Sequence, residues 1–114
     1  MTKTITLLTK PIPLNQKYGI INGRQLLTKK YRDTKEALAW EIASQVKFEP
    51  LEGMLTVNIM LYFGDKRKRD IDSYLKILLD SMTRIVYVDD CQIVELHIFK
   101  EIDLENPRTI IQIL

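Results

Sequence analysis

From Leu55 to Phe63 the chain alternates strictly. Leu55, Val57, Ile59, Leu61 and Phe63 fall on one side, and Thr56, Asn58, Met60 and Tyr62 on the other. A period of two predicts a strand over residues 54–63 with one buried face. The period then changes. Ile71, Tyr74, Leu75, Leu78, Leu79 and Met82 recur at i, i+3, i+4, i+7, i+8 and i+11, the stripe of an amphipathic helix. Asp70 stands where an N-cap belongs, and Asp72 lies in the first turn, where the helix dipole favours negative charge. Upstream, Thr28 predicts the cap of another helix over residues 29–46, with Tyr31, Leu38, Ile42 and Val46 on one face. Residues 3–9 alternate well enough for a short strand that Pro11 and Pro13 end. Residues 14–27, interrupted by Gly19 and Gly23, read as a polar loop carrying Asn15, Lys17, Tyr18 and Arg24. Residues 93–101 and 108–114 read as two strands joined through Asn106-Pro107. The expectation is one small α/β (α+β) domain over residues 1–114. It has a mixed sheet of about four strands and two main helices, in the order β-α-β-α-β-β.

Length and composition agree with a single domain. The chain has 114 residues, of which 46% are apolar, enough for one core and too many for disorder. No apolar run approaches the ~18 residues that cross a bilayer, and the start lacks the apolar core of a signal peptide. The single cysteine excludes an internal disulfide and a cysteine-based zinc site. These features point to a cytoplasmic location.

The net charge of +2 conceals an asymmetry. Residues 1–32 carry seven cations and no acid, whereas the remainder carries ten cations against fifteen acids. A basic third beside an acidic remainder suggests one surface for a polyanion and one cluster for a cation.

The chemistry concentrates between residues 66 and 76. Lys66, Arg67, Lys68 and Arg69 run directly into Asp70 and Asp72, and Lys76 lies one helical turn beyond Asp72. Cations grip phosphate, and paired aspartates grip a hard divalent cation. The layout is that of a metal-dependent nuclease. Each piece also has a plain structural reading: Asp70 as a cap, Asp72 as a dipole complement, and Asp72–Lys76 as an ordinary helix pair. Asp80 continues the same row and either orients Lys76 or faces solvent. Asp89-Asp90 is a second acidic pair, read either as a turn or as a contributor to the first. Three converging carboxylates repel, and a divalent cation removes that penalty. All-oxygen ligands select Mg²⁺ or Mn²⁺ over zinc or copper. Cys91 reads as a small core residue, His97 as structural, and Trp40 as either core or interface. No glycine-rich phosphate loop and no Ser-His-Asp arrangement is present.

The run Arg67 to Lys76, then Leu79-Asp80, then Val88-Asp89-Asp90-Cys91-Gln92-Ile93-Val94, resembles the RusA family of Holliday junction resolvases. The N-terminal part is similar as well, at Pro11 to Asn15, Tyr18, Gly23-Arg24 and Tyr31-Arg32. Ser73 stands where that family often has asparagine. The resemblance implies a RusA-like fold and a homodimer, with no organic cofactor and no membrane. Such a dimer binds four-way DNA junctions and nicks two opposing strands with Mg²⁺, for which Mn²⁺ substitutes. It implies Asp70, Asp72 and Asp90 as metal ligands, Asp89 as a further ligand or a loop-positioning residue, and Lys76 at the scissile phosphate. It also implies Lys66 to Arg69 on backbone phosphates. Asn15, Lys17, Tyr18, Arg24, Lys29, Lys30 and Arg32 complete the expected DNA-contacting set. The alternatives are a non-catalytic, structure-selective DNA-binding protein and a metal nuclease for another branched substrate.

Overall fold

The computed structural model describes residues 2–114. A four-stranded sheet has the order β1 (Lys3–Leu7), β6 (Arg108–Ile113), β4 (Leu55–Phe63), β5 (Ile93–Ile102). β6 runs antiparallel to both of its neighbours, and β4 and β5 are parallel. The sheet is therefore mixed, as expected. The five odd-numbered apolar residues of β4 are all buried and the even-numbered ones are not, so the alternation decides which face meets the helices. Ile5 and Leu7 of β1 and Ile111 and Ile113 of β6 complete that buried face.

Two helices supply the other half of the core. α1 spans Lys29–Gln45 and buries Tyr31, Leu38 and Ile42. Thr28 caps it, its hydroxyl accepting from the Tyr31 backbone at 3.1 Å. The predicted second helix begins differently. Residues Ile71–Tyr74 form a tight 3-10 turn, and α2 proper is Leu75–Met82. Ser73 explains this. Its N–H and its hydroxyl both donate to the Asp70 carbonyl, at 3.2 and 2.7 Å, and close an i to i+3 turn. α2 packs against α1 and shares one core with the sheet, so Ile77 and Ser81 are buried along with Tyr74, Leu78 and Met82. Burial therefore extends beyond the single stripe.

The segment read as a polar loop is a hairpin. β2 (Tyr18–Ile21) and β3 (Arg24–Leu27) pair antiparallel as a separate two-stranded sheet. Asn22 and Gly23 both have positive φ, 52° and 75°, the conformation of a two-residue type I′ turn. Asn-Gly between short apolar runs carries this signal, and Gly19 inside the first strand obscures it.

The two edges of the main sheet differ. At β1, the Gln45 side chain donates to the Thr6 carbonyl at 2.7 Å and accepts from the Thr6 N–H at 2.9 Å. Glu41 accepts from the backbone of Leu8 and Thr9 just beyond. The ten residues of β5 form the other edge, and among the described residues no hydrogen bond reaches its outer side. No helix among the described residues is long and apolar enough to cross a membrane.

Candidate active site

After α2 the chain passes through Arg84, at φ +70°, and buries Val86 and Tyr87 completely. The Tyr87 hydroxyl donates to the Leu79 carbonyl at 2.8 Å. Leu51 clamps the strip from outside, donating to the Val86 carbonyl and accepting from Val88. Gln92 then anchors the turn carrying the acidic pair. Its amide donates to the carbonyls of Leu51 and Gly53, both at 2.9 Å, and accepts from the Asp89 N–H at 2.9 Å. Asp89 and Asp90 are thus delivered to a fixed place. They share a hollow with Lys76, Asp80, Thr83 and Lys35.

Within that hollow Lys76 lies 3.2 Å from Asp80 Oδ1. The other oxygen of Asp80 accepts from the buried Tyr31 hydroxyl at 3.2 Å. Asp80 therefore orients Lys76, one of the two roles its position allowed. Burial first, then Asp89, pushes the Asp90 carboxyl above the usual carboxylate range, while Lys76 acts in the opposite direction. Asp89 is held low, by the Cys91 thiol first and then by Asp90. The hollow thus sets the three carboxylates of Asp80, Asp89 and Asp90 beside the two ammonium groups of Lys35 and Lys76.

Asp70 occupies the N-cap position of the 3-10 turn, but its side chain makes no capping bond and is exposed. The capping role is vacant, so the carboxylate is free for other partners. It borders a second hollow with Lys68, Arg69 and Lys100. Asp72 is exposed in the first turn and lines neither hollow. Among the described residues no three Asp, Glu, His or Cys side chains stand close enough to hold a metal ion by themselves.

The basic run is organised by a residue the sequence reading passed over. Asp65 accepts from the Arg67 N–H at 3.0 Å and pairs with Arg69 at 2.8 Å and Arg67 at 3.4 Å. An aspartate followed two residues later by the N–H it accepts is the signature of an Asx-turn, which was the available signal. The Arg69 side chain is only 8% exposed and stacks on the Phe63 ring at 4.3 Å, so its charge is used internally. Arg67 remains 71% exposed, and Lys66 and Lys68 are exposed. A groove joins Arg67, Lys68 and Arg69 to Lys10 and Lys30, drawing cations from three separate segments. Asn15, Lys17, Tyr18 and Arg24 lie on or beside the hairpin. Lys29 is engaged with Asp33 at 3.0 Å, and Arg32 is exposed on α1.

The comparison with known proteins bears on this arrangement. Residues 9–114 match the family described as endodeoxyribonuclease RusA. The chain belongs to the RusA endodeoxyribonuclease family. It is also similar to a protein named crossover junction endodeoxyribonuclease RusA, from Aquifex aeolicus (strain VF5). The two are 33% identical over 105 residues, covering 90% of this chain and 83% of that one.

For a RusA family nuclease the donor chemistry fits a hard divalent cation. Every candidate ligand is a carboxylate oxygen, and Asp80, Asp89 and Asp90 line one hollow. Magnesium is ordinarily held by one or two carboxylates together with substrate phosphates, so a closed protein cage is not required. One expectation changes, and the alternatives at Trp40 narrow. Cys91 is exposed and not a core residue, because the turn holding Asp89 and Asp90 turns it outward. Trp40 is 73% exposed, so it is not part of the helix core. His97 is half exposed on the open face of the sheet, 3.4 Å from Glu95. Lys35 and Lys100, which line the two hollows, carried no sequence signal because the fold alone brings them there.

Proposed function

We propose that this protein is a metal-dependent endodeoxyribonuclease that resolves four-way DNA junctions by paired symmetric nicks, acting as a homodimer. The observation that carries the reading is an exposed Asp70–Asp72 turn continuous with a pre-ordered basic loop, with Lys76 one turn on and held by Asp80 beside Asp90. The relative from Aquifex aeolicus, named for action at crossover junctions, supports the substrate class.

Asp70, Asp72 and Asp90 are the residues that would hold Mg²⁺ or Mn²⁺, with Asp89 beside them. The ion supplies Lewis-acid polarisation of a phosphoryl oxygen and a water of lowered pKa. Lys76 presents a positive charge to the developing charge on the phosphate, and Asp80 keeps the ammonium in place. Lys66, Arg67 and Lys68 bind flanking phosphates and set the register of the strand. Two coordinated cuts in a two-fold symmetric substrate need two sites, which a symmetric dimer provides.

The test is cleavage of a labelled synthetic four-way junction beside a linear duplex of the same sequence, with and without Mg²⁺, using wild type and Asp70→Asn. Symmetric nicking of the junction alone, dependent on metal and on Asp70, is the expected result. Junction binding without cutting in any metal would replace this reading with a structure-selective binding protein. Cutting of duplex or flap instead would keep the metal site and discard the substrate.

A further inference from the structure

The β2–β3 hairpin is the least explained part of the chain. Its sequence folds by local rules: the Asn22-Gly23 turn supplies the two positive φ values, and Thr28 ties down the base. The Thr28 N–H donates to the Lys17 carbonyl at 2.9 Å, and its hydroxyl donates to the Gln16 carbonyl at 2.7 Å. Yet the hairpin carries Tyr18, Ile20, Ile21, Leu26 and Leu27, all exposed, with Ile20 at 78% and Ile21 at 60%. Cross-strand register places Tyr18, Ile20 and Leu27 on one face and Ile21 and Leu26 on the other, so the ribbon is apolar on both sides. A lone two-stranded ribbon is marginal in water, and apolar patches of this kind mark interaction sites.

Charge identifies the occupant. Residues 1–32, which include the whole hairpin, hold seven cations and no acid. Arg24 faces Ile21 across the turn, and the Lys17 ammonium stands 5.1 Å from the Tyr18 ring and 5.3 Å from the Tyr31 ring at the base. Aliphatic side chains with one cation at the tip and another at the base suit a surface that is apolar in the middle and anionic at its margins. Stacked bases between two phosphate backbones have that character, and apolar side chains inserted at a base step unstack it. Strands of four residues reach roughly 13 Å, enough to enter an opening where strands exchange.

We propose that the hairpin is a wedge that enters the branch point, with Ile20 and Ile21 against unstacked bases and Lys17 and Arg24 on the flanking phosphates. This rests on the junction-nuclease reading above. The geometry also gives the wedge a route to the chemistry. Lys17 packs on Tyr31, Tyr31 donates to Asp80, and Asp80 holds Lys76.

The test uses the full chain and a synthetic four-way junction with 2-aminopurine, a base that brightens on unstacking, at the crossover or in one arm. Fluorescence is read in metal-free buffer containing a chelator, for wild type and for the Ile20→Gln, Ile21→Gln double variant. The expected result is a rise at the crossover only, with wild type only. The variant should keep its melting temperature and bind the junction within about threefold of wild type, since phosphate contacts dominate affinity. Its metal-dependent cleavage should fall by roughly tenfold or more, the effect of losing an unstacking contact. A rise that persists in the variant would overturn the proposal. So would no rise when wild type binds and cuts the junction, which leaves the nuclease reading intact. A wild-type dimer that becomes monomeric in the variant would assign the hairpin to a second copy instead. If wild type neither selects nor cuts junctions, both readings fall together.

Discussion

The Tyr31 hydroxyl donates to Asp80 Oδ2 at 3.2 Å, joining the first turn of α1 to α2 at the oxygen opposite the one that holds Lys76. Burial first, then Asp80, raises the Tyr31 phenol well beyond its ordinary range, so it remains a donor at any working pH. Tyr31→Phe removes only the hydroxyl. We expect a loss of about 1 kcal/mol in urea unfolding. Cleavage should drop by roughly tenfold in turnover with little change in half-saturating junction, because a mispositioned Lys76 affects the reaction more than binding. A fall confined to junction affinity would show that Asp80 does not position Lys76.

Lys76 itself is half exposed, and its pair with Asp80 lies at the surface of the hollow. Lys76→Ala should shift stability by less than about 0.5 kcal/mol, the range of exposed ion pairs. If the ammonium answers charge on the phosphate, cleavage should fall by roughly 10²-fold or more at unchanged junction binding. Thermal melts, a binding titration and single-turnover cleavage separate these effects.

Acid should loosen the basic loop. The Arg69 guanidinium, then the Arg67 N–H, holds the Asp65 carboxyl well below the usual carboxylate range, and Arg108 lowers Asp103 in the same direction. A depressed folded-state pKa means the folded chain binds fewer protons than the unfolded chain. The stabilisation is therefore complete above the ordinary range and is lost progressively as pH falls from that range through the lower folded-state value. We expect the melting temperature to decline on acidification below about pH 4–5. Asp65→Asn should flatten part of that decline, and an unchanged slope would remove Asp65 from the account.

Metal binding should depend on DNA. Since no three ligands converge among the described residues, millimolar Mg²⁺ alone should raise the melting temperature by less than about 2 °C, corresponding to a site near half saturation. The same Mg²⁺ should tighten junction binding by Asp90→Asn less than by wild type, since Asp90 is one of the proposed ligands. A large shift with metal alone would mean that the carboxylates close on the ion without substrate.

Much of this was legible in the sequence where a period ran long enough to average out exceptions. Nine residues of β4 kept strict alternation, and α1 began at its Thr28 cap. The start of α2 was misjudged because a serine hydroxyl competing for the Asp70 carbonyl tightens the first turn, which hydrophobic spacing does not encode. The hairpin was missed because its strands have four residues each and lack a buried face to impose alternation. Site residues on one continuous segment, Asp70 to Asp80, could be found by spacing. Lys35 and Lys100 could not, because they reach the two hollows from α1 and β5 only through the fold.

The unequal edges of the main sheet set a limit on growth. At β1 a glutamine amide already occupies the place of a neighbouring strand, so lateral pairing there must first displace it. At β5 ten residues of backbone stand open. If two copies met strand to strand at β5, the doubled sheet would end at both sides in a stoppered β1. Such an assembly counts to two and halts, which separates a closed pair from a propagating fibre without any further interface.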